Sequence, residues 1–182
     1  MDLKVANWIF DTFGSNKIFL KIANVLTYIG DAVTVISIIA LLLIFKKTRK
    51  LGIYSLVIVG ISFVCNIVVL KVIIARERPF VECPEFLKAI ELAGAKIPSG
   101  KSMPSGHSLA TMTLAVTVFM FNKKIGIGAI ALSVVCGLTR MILCVHYLTD
   151  VLLGFALGIA FAISLYYLLK YLEKIYLKRK EK

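Results

Sequence analysis

Residues 104–121 read PSGHSLATMTLAVTVFMF. Proline and glycine ahead of an apolar run mark a helix start. From Ser105 to Phe121 the stretch holds no Asp, Glu, Lys or Arg. A helix needs ~20 residues to cross the hydrocarbon of a bilayer, and ~17 suffice. The stretch therefore reads as a short membrane-spanning helix whose first turn is polar. Such a turn presents free N–H groups to an anion. Gly106 lets a phosphate approach the backbone, Ser105 offers a hydroxyl donor, and His107 stands at the mouth as a proton donor. The triplet Pro98-Ser99-Gly100 repeats Pro104-Ser105-Gly106 without a histidine or an apolar run behind it. It is expected to be an echo in a loop, with Ser99 dispensable. Whether Lys101 and Ser102, between the two triplets, reach a head group is left open.

Working outward, four more apolar runs appear: Ile29–Phe45, Leu51–Ile74, Ile125–Cys144 and Leu148–Leu169. The 182-residue chain is 59% hydrophobic, above the usual share for a soluble domain. Its net charge is +12, from 22 Lys and Arg against 10 Asp and Glu. The basic residues gather at the ends of the apolar runs, which argues for membrane orientation and against a nucleic-acid partner. The reading is all-α: a polytopic bundle of about five transmembrane helices, since backbone groups in lipid must be bonded within the element. Lys46–Lys50, Asn122–Lys124 and the basic tail 171–182 are expected on the cytoplasmic side. The loop 75–104 and the turn Val145–Tyr147 then lie outside, the loop as an irregular or partly helical cap. Residues 1–28 are predicted to form an amphipathic interfacial helix, and residues 29–170 the transmembrane unit. No cleavable signal is read in the first thirty residues. The four cysteines form no Cys-x-x-Cys pair, and Cys65 and Cys136 read as small core residues. Gly154 and Gly158 form a Gly-x-x-x-Gly expected to pack inside the bundle.

The predicted outer face gathers Lys71, Arg76, Arg78, Arg140, Asp150 and both histidines of the chain, His107 and His146. Ionisable residues at membrane depth are functional candidates. His146 and Asp150 are four apart and share a face of a helix beginning near His146. A carboxylate one turn on can accept Nδ1–H, fixing the tautomer and leaving the Nε2 lone pair to attack. Arg140 lies off that face unless a turn intervenes, and the short connection predicted there supplies one. Arg76 and Glu77 read as solvated charges. A nucleotide loop from Gly94 to Ser102 is rejected, because five residues separate the glycines and no strand precedes them.

Three segments together carry a resemblance. Lys71-x6-Arg78-Pro79, Pro104-Ser105-Gly106-His107 and Thr139-Arg140-x5-His146-x3-Asp150 resemble the signature of the type 2 phosphatidic acid phosphatase superfamily, which also contains vanadium haloperoxidases. Thr139 stands where a serine is usual. The resemblance covers Ile29 to Leu169 and extends to the bacterial undecaprenyl-diphosphatase-like members. It implies a phosphatase without metal or other cofactor. His146 would carry a phosphohistidine, oriented by Asp150. His107 would protonate the leaving group. Lys71, Arg78, Arg140, Ser105 and the backbone of Gly106 would bind phosphoryl oxygens. Membrane members commonly have six spans, so the N-terminal topology is left open. The site is expected to be unaffected, because the motifs lie downstream.

The resemblance further implies a lipid phosphate as substrate, in a plasma membrane with the site outward and the C-terminus cytoplasmic. Undecaprenyl diphosphate leads, ahead of phosphatidylglycerophosphate and phosphatidic acid. A phosphotransferase and a non-hydrolytic anionic-lipid binder or transporter remain as alternatives. The oligomeric state is not legible.

Overall fold

The computed structural model describes residues 1–180; Glu181 and Lys182, the end of the predicted basic tail, lie outside the described residues. Described residues are helical or irregular, with no strand among them. The helices are α1 (Asp2–Phe13), α2 (Lys17–Thr27), α3 (Ala32–Ile44), α4 (Arg49–Cys65), α5 (Lys71–Ile74), α6 (Pro79–Glu82), α7 (Leu87–Ala93), α8 (Gly106–Phe121), α9 (Lys123–Ile142) and α10 (Leu148–Lys180).

The opening stretch is the axis of the molecule. In α8 every residue from Ser108 to Thr117 is buried, and the helix packs along α10, α9 and α4. Gly154 and Gly158 let α10 close on it. A Cβ at Gly154 would stand 2.9 Å from the Ser105 carbonyl oxygen, and one at Gly158 the same distance from that of Leu109. The Gly-x-x-x-Gly thus serves packing within the bundle. Thr113 and Thr117 turn their hydroxyls onto the carbonyls of Leu109 and Thr113, so neither brings an unsatisfied donor into the core. Large apolar side chains face outward around the bundle, among them Ile36, Ile53, Ile127 and Leu152. Such a perimeter suits lipid tails and would be an unusually large apolar surface in water.

Among the described residues three helices are long and apolar enough to cross a membrane: Arg49–Glu82, Lys123–Ile142 and Leu148–Lys180. α8, with 16 residues, is shorter. The first apolar run does not form one straight span. α3 has only 13 residues, and it joins Lys17–Gly30 across a 45° bend. Residues 1–28 accordingly hold two helices, and the second leads into the bundle. At the other end, residues 171–180 continue α10 without a break. Lys50 pairs with Glu173 at 2.7 Å, so the basic α3–α4 connection and the C-terminal part of α10 share one end of the bundle.

The opposite end is capped by residues 75–104, which contain three short helical pieces. Phe86, Ala89 and Ile90 of this cap form a core with Leu20 and Ala23 of α2 and with Leu143, Val145 and Tyr147 of the α9–α10 turn. Asn24 adds a hydrogen bond to the Ala93 carbonyl. The cap is therefore anchored beside the turn that carries His146.

Candidate active site

Lys71 opens the last turn of the long helix begun by α4, directly after a π-helical turn, Asn66–Leu70. Single π turns in α-helices recur at functional sites. Ala75 then adopts a left-handed conformation (φ 48°) and turns the chain out of the helix, sending Arg76 and Arg78 back across the bundle end. Lys71 Nζ donates to the Lys101 carbonyl at 2.7 Å. Arg78 is buried and donates to the carbonyls of Gly100 (2.8 Å), Ser99 (3.2 Å) and Val145 (3.0 Å). The first Pro-Ser-Gly triplet therefore offers carbonyls to a guanidinium. Gly100 makes this possible, because its φ of +75° belongs to the left-handed region.

α9 ends at Ile142, and a second left-handed residue, Cys144 (φ 53°), forms the turn between Arg140 and His146. His146 is buried. Its Nε2 lies 3.3 Å from Arg78 Nη1. Its Nδ1 lies 3.3 Å from Ser102 Oγ and 3.5 Å from Asp150 Oδ2. Asp150 is wholly buried and intensively held. Oδ2 accepts from Ser102 Oγ at 2.5 Å and from the Tyr147 amide at 2.9 Å, and Oδ1 accepts from Arg76 Nη1 at 3.0 Å. A carboxylate beside Nδ1 keeps the proton there and leaves Nε2 as the lone pair. Burial pushes the imidazole down to about 3, so at neutral pH that lone pair is free.

Ser105 is the N-cap of α8. Its Oγ accepts from the Ser108 amide (3.4 Å) and hydroxyl (3.0 Å), leaving its own hydrogen to donate. Its amide donates to the Asp150 carbonyl, so the Pro-Ser-Gly-His turn and the start of α10 are joined. Gly106 faces the side chain of Asn66, whose amide nitrogen and oxygen are buried without partners. His107 Nε2 lies 2.8 Å from Asp31 Oδ1. Arg140 is buried, donates through Nη1 to Thr27 Oγ1 at 2.8 Å, and has no partner at Nε. Buried donors left open are costly, and a guanidinium awaiting an anion is one reason to keep them. Thr139 turns its hydroxyl to the Cys136 carbonyl of its own helix and is buried with its extra methyl.

These residues can be set beside known proteins. A model of the PAP2 superfamily matches residues 50–174. The chain belongs to the PAP2 superfamily. It is similar to an undecaprenyl-diphosphatase of Sulfolobus acidocaldarius, 42% identical over 127 residues that cover 68% of this chain and 57% of that protein. It is also similar to the bacitracin transport permease protein BcrC of Bacillus licheniformis, 28% identical over 124 residues, 66% of this chain and 57% of that one. The chain thus spans little more than half the length of these relatives. The fold matches the crystal structure of a PAP2 type phosphatidylglycerolphosphate phosphatase from Bacillus subtilis with a TM-score of 0.72, at 24% identity, covering 96% of this chain and 85% of that one.

Around the PAP2 signature stand residues that the sequence did not point to. Ser102 faces inward onto Asp150, while Lys101 turns away to pair with Glu77. Arg76 is not a solvated charge. It bridges Asp150, Thr149 and Asp2, and its guanidinium lies 3.9 Å from the centroid of the Tyr147 ring. Asp2, Thr27 and Asp31 all precede the signature, so the N-terminal helices build part of this end of the molecule. A cleft of about 360 Å³ opens between α3 and α4, lined by Val35, Ile36, Ile39, Leu56, Val59 and Phe63, with Gly106 and His107 also on its wall.

Proposed function

We propose that this PAP2 chain is an integral-membrane phosphatase that hydrolyses a phosphate monoester or diphosphate of a membrane lipid, with undecaprenyl diphosphate as the leading substrate. The observation that carries the reading is the pair of surroundings of His146. Nδ1 is backed by Ser102 and Asp150, while Nε2 faces the guanidinium of Arg78. A neutral imidazole so held is an attacking base, and cations beside it suit a phosphoryl group. The apolar cleft that ends at His107 supports a lipid substrate, because a tail lying there brings its phosphate to α8. The undecaprenyl-diphosphatase among the relatives supports the choice of lipid. The B. subtilis neighbour supports phosphatidylglycerophosphate as the second choice, ahead of phosphatidic acid.

In the first step Nε2 of His146 attacks phosphorus. The bond to the leaving oxygen breaks, and His107 transfers a proton to that oxygen. Lys71, Arg78, Arg140, the Ser105 hydroxyl and the Gly106 amide bind the equatorial oxygens, where charge collects in phosphoryl transfer. In the second step water attacks the phosphohistidine, His107 takes its proton, and the P–N bond breaks to release phosphate. The positive-inside rule supports placing this site outward and the C-terminus in the cytoplasm of a plasma-membrane protein.

Purified protein in detergent, given each candidate lipid phosphate with excess chelator, tests the reading. Phosphate release by the wild type and its absence from His146→Ala is the expected result. Release from neither protein would leave a binder or transporter. Loss of wild-type activity on chelation would overturn the metal-free mechanism, and transfer to an added alcohol in place of water would mark a phosphotransferase.

A further inference from the structure

His107 is held from two sides by residues outside the three motifs. One is Asp31, whose Oδ1 lies 2.8 Å from Nε2. The other is Gly30, where a Cβ would come within 2.9 Å of the ring's Cδ2 and 3.0 Å of the His107 Cβ. Asp31 occupies the N-cap of α3 yet makes no capping hydrogen bond with its side chain. An N-cap Asp ordinarily accepts from the backbone of its own helix, an interaction worth ~1 kcal/mol. Here the carboxylate is turned to the histidine instead. From the structure we infer that Asp31 is the positioning residue for the proton donor, fixing the His107 ring by accepting its Nε2–H and leaving Nδ1 to face the leaving group.

This rests on the phosphatase reading. As the bond from phosphorus to the leaving oxygen breaks, the Nδ1 proton moves to that oxygen. His107 becomes neutral, its Nε2–H stays on Asp31, and the carboxylate never takes a proton. The arrangement parallels the way Asp150 serves His146, with the two ring nitrogens exchanging roles. It also explains why the bend between α2 and α3 lies at the site. The bend brings Gly30 and Asp31 up to the start of α8, and a straight helix would carry them past it.

An acid matters only when the leaving group is a poor one. The test uses two monoesters of equal chain length in the same micelles: an alkyl phosphate, whose alkoxide needs a proton, and the monophosphate of an alkyl-substituted nitrophenol, whose phenolate does not. Wild type, His107→Ala, Asp31→Asn and Asp31→Ala are compared, with size-exclusion profiles and the affinity for vanadate as checks on folding and binding. General acid catalysis contributes ~10²–10⁴-fold, so His107→Ala should lose about that much on the alkyl phosphate, and the Asp31 variants about tenfold or more, Ala the worse. The nitrophenyl lipid is read by its first-turnover burst of phenolate, which precedes the water attack that also uses His107. In that burst the Asp31 variants should stay within about threefold of wild type and bind vanadate as it does, and His107→Ala should lose at least about tenfold less than on the alkyl phosphate. Equal losses by the Asp31 variants on both lipids, or none on either, would overturn the inference while His107→Ala still behaved as an acid knockout. A wild type inactive on both lipids, or a His107→Ala without leaving-group dependence, would remove the phosphatase reading itself and this inference with it.

Discussion

Arg76 Nη1 lies 3.0 Å from Oδ1 of Asp150, on the side of the carboxylate away from His146. The arginine belongs to the first motif segment only by position, and the residue it holds belongs to the third. Its other nitrogen reaches Asp2 Oδ2 at 2.8 Å. The Asp150 carboxylate is thus tied through one guanidinium to α1. Removing Arg76 leaves a wholly buried carboxylate short of its cation, and breaking such a pair costs about 3–5 kcal/mol when nothing replaces it. Arg76→Ala should lower both turnover and thermal stability in detergent, with Asp2→Asn showing the same effects more weakly. A thermal melt beside a phosphate-release assay checks both; an unaltered Arg76→Ala would mean that Ser102 and Tyr147 hold Asp150 by themselves.

The serines of the loop separate by contact. Ser99 offers its carbonyl to Arg78, so Ser99→Ala should be mild. Ser102→Ala removes the hydroxyl between His146 and Asp150, and Ser105→Ala removes the cap of α8. Each should reduce kcat by about tenfold or more, the scale of one lost hydrogen bond to a charged group. Equal damage from all three in steady-state kinetics would show that the loop acts as a single unit.

Gly154→Ala puts a methyl 2.9 Å from the Ser105 carbonyl oxygen. Overpacking of this kind costs ~1–3 kcal/mol and here displaces the turn that carries Ser105. The melting temperature and the rate should fall together. Gly128→Ala, where a Cβ meets open space, is the control and should leave both intact.

His146 gives stability a sign with pH. Its folded value of about 3 lies below the ordinary histidine value of about 6.5. Between those values the unfolded chain binds a proton that the folded chain does not. The stabilisation is therefore complete above about 6.5 and declines as pH falls towards 3. The difference in melting temperature between wild type and His146→Gln should shift against the wild type over that window. A difference independent of pH would mean that the folded ring takes up its proton as readily as the unfolded one.

The sequence pointed by type and spacing to residues that the structure brings to one end of the bundle: Lys71 and Arg78, Ser105 to His107, Arg140, and the His146–Asp150 pair. It also placed the apolar runs, since four of the five coincide with helices. What stayed hidden was set by docking between distant segments. Asp31 and His107 are 76 residues apart, and Arg76 and Asp2 are 74 apart. No periodicity relates such pairs. Ala75 and Cys144, which carry the turns that aim Arg76, Arg78 and His146, have side chains that do not advertise a left-handed backbone. The single amphipathic helix expected over residues 1–28 became two for a related reason. Asn16 caps the second one, accepting from the Phe19 amide, and the bend at Gly30 then carries the chain into α3.

The hold of Asp2 on Arg76 also bears on how the molecule comes together. During synthesis α1 emerges before the groups it grips, Arg76 and Thr149, which follow Asp2 by 74 and 147 residues. This helix must wait beside the membrane until the start of α10 is in place, so its docking comes after that of the helices between them. A fusion partner attached ahead of Asp2 would sit against the cap and obstruct that docking. One attached behind α10 would hang from the opposite end, out of its way.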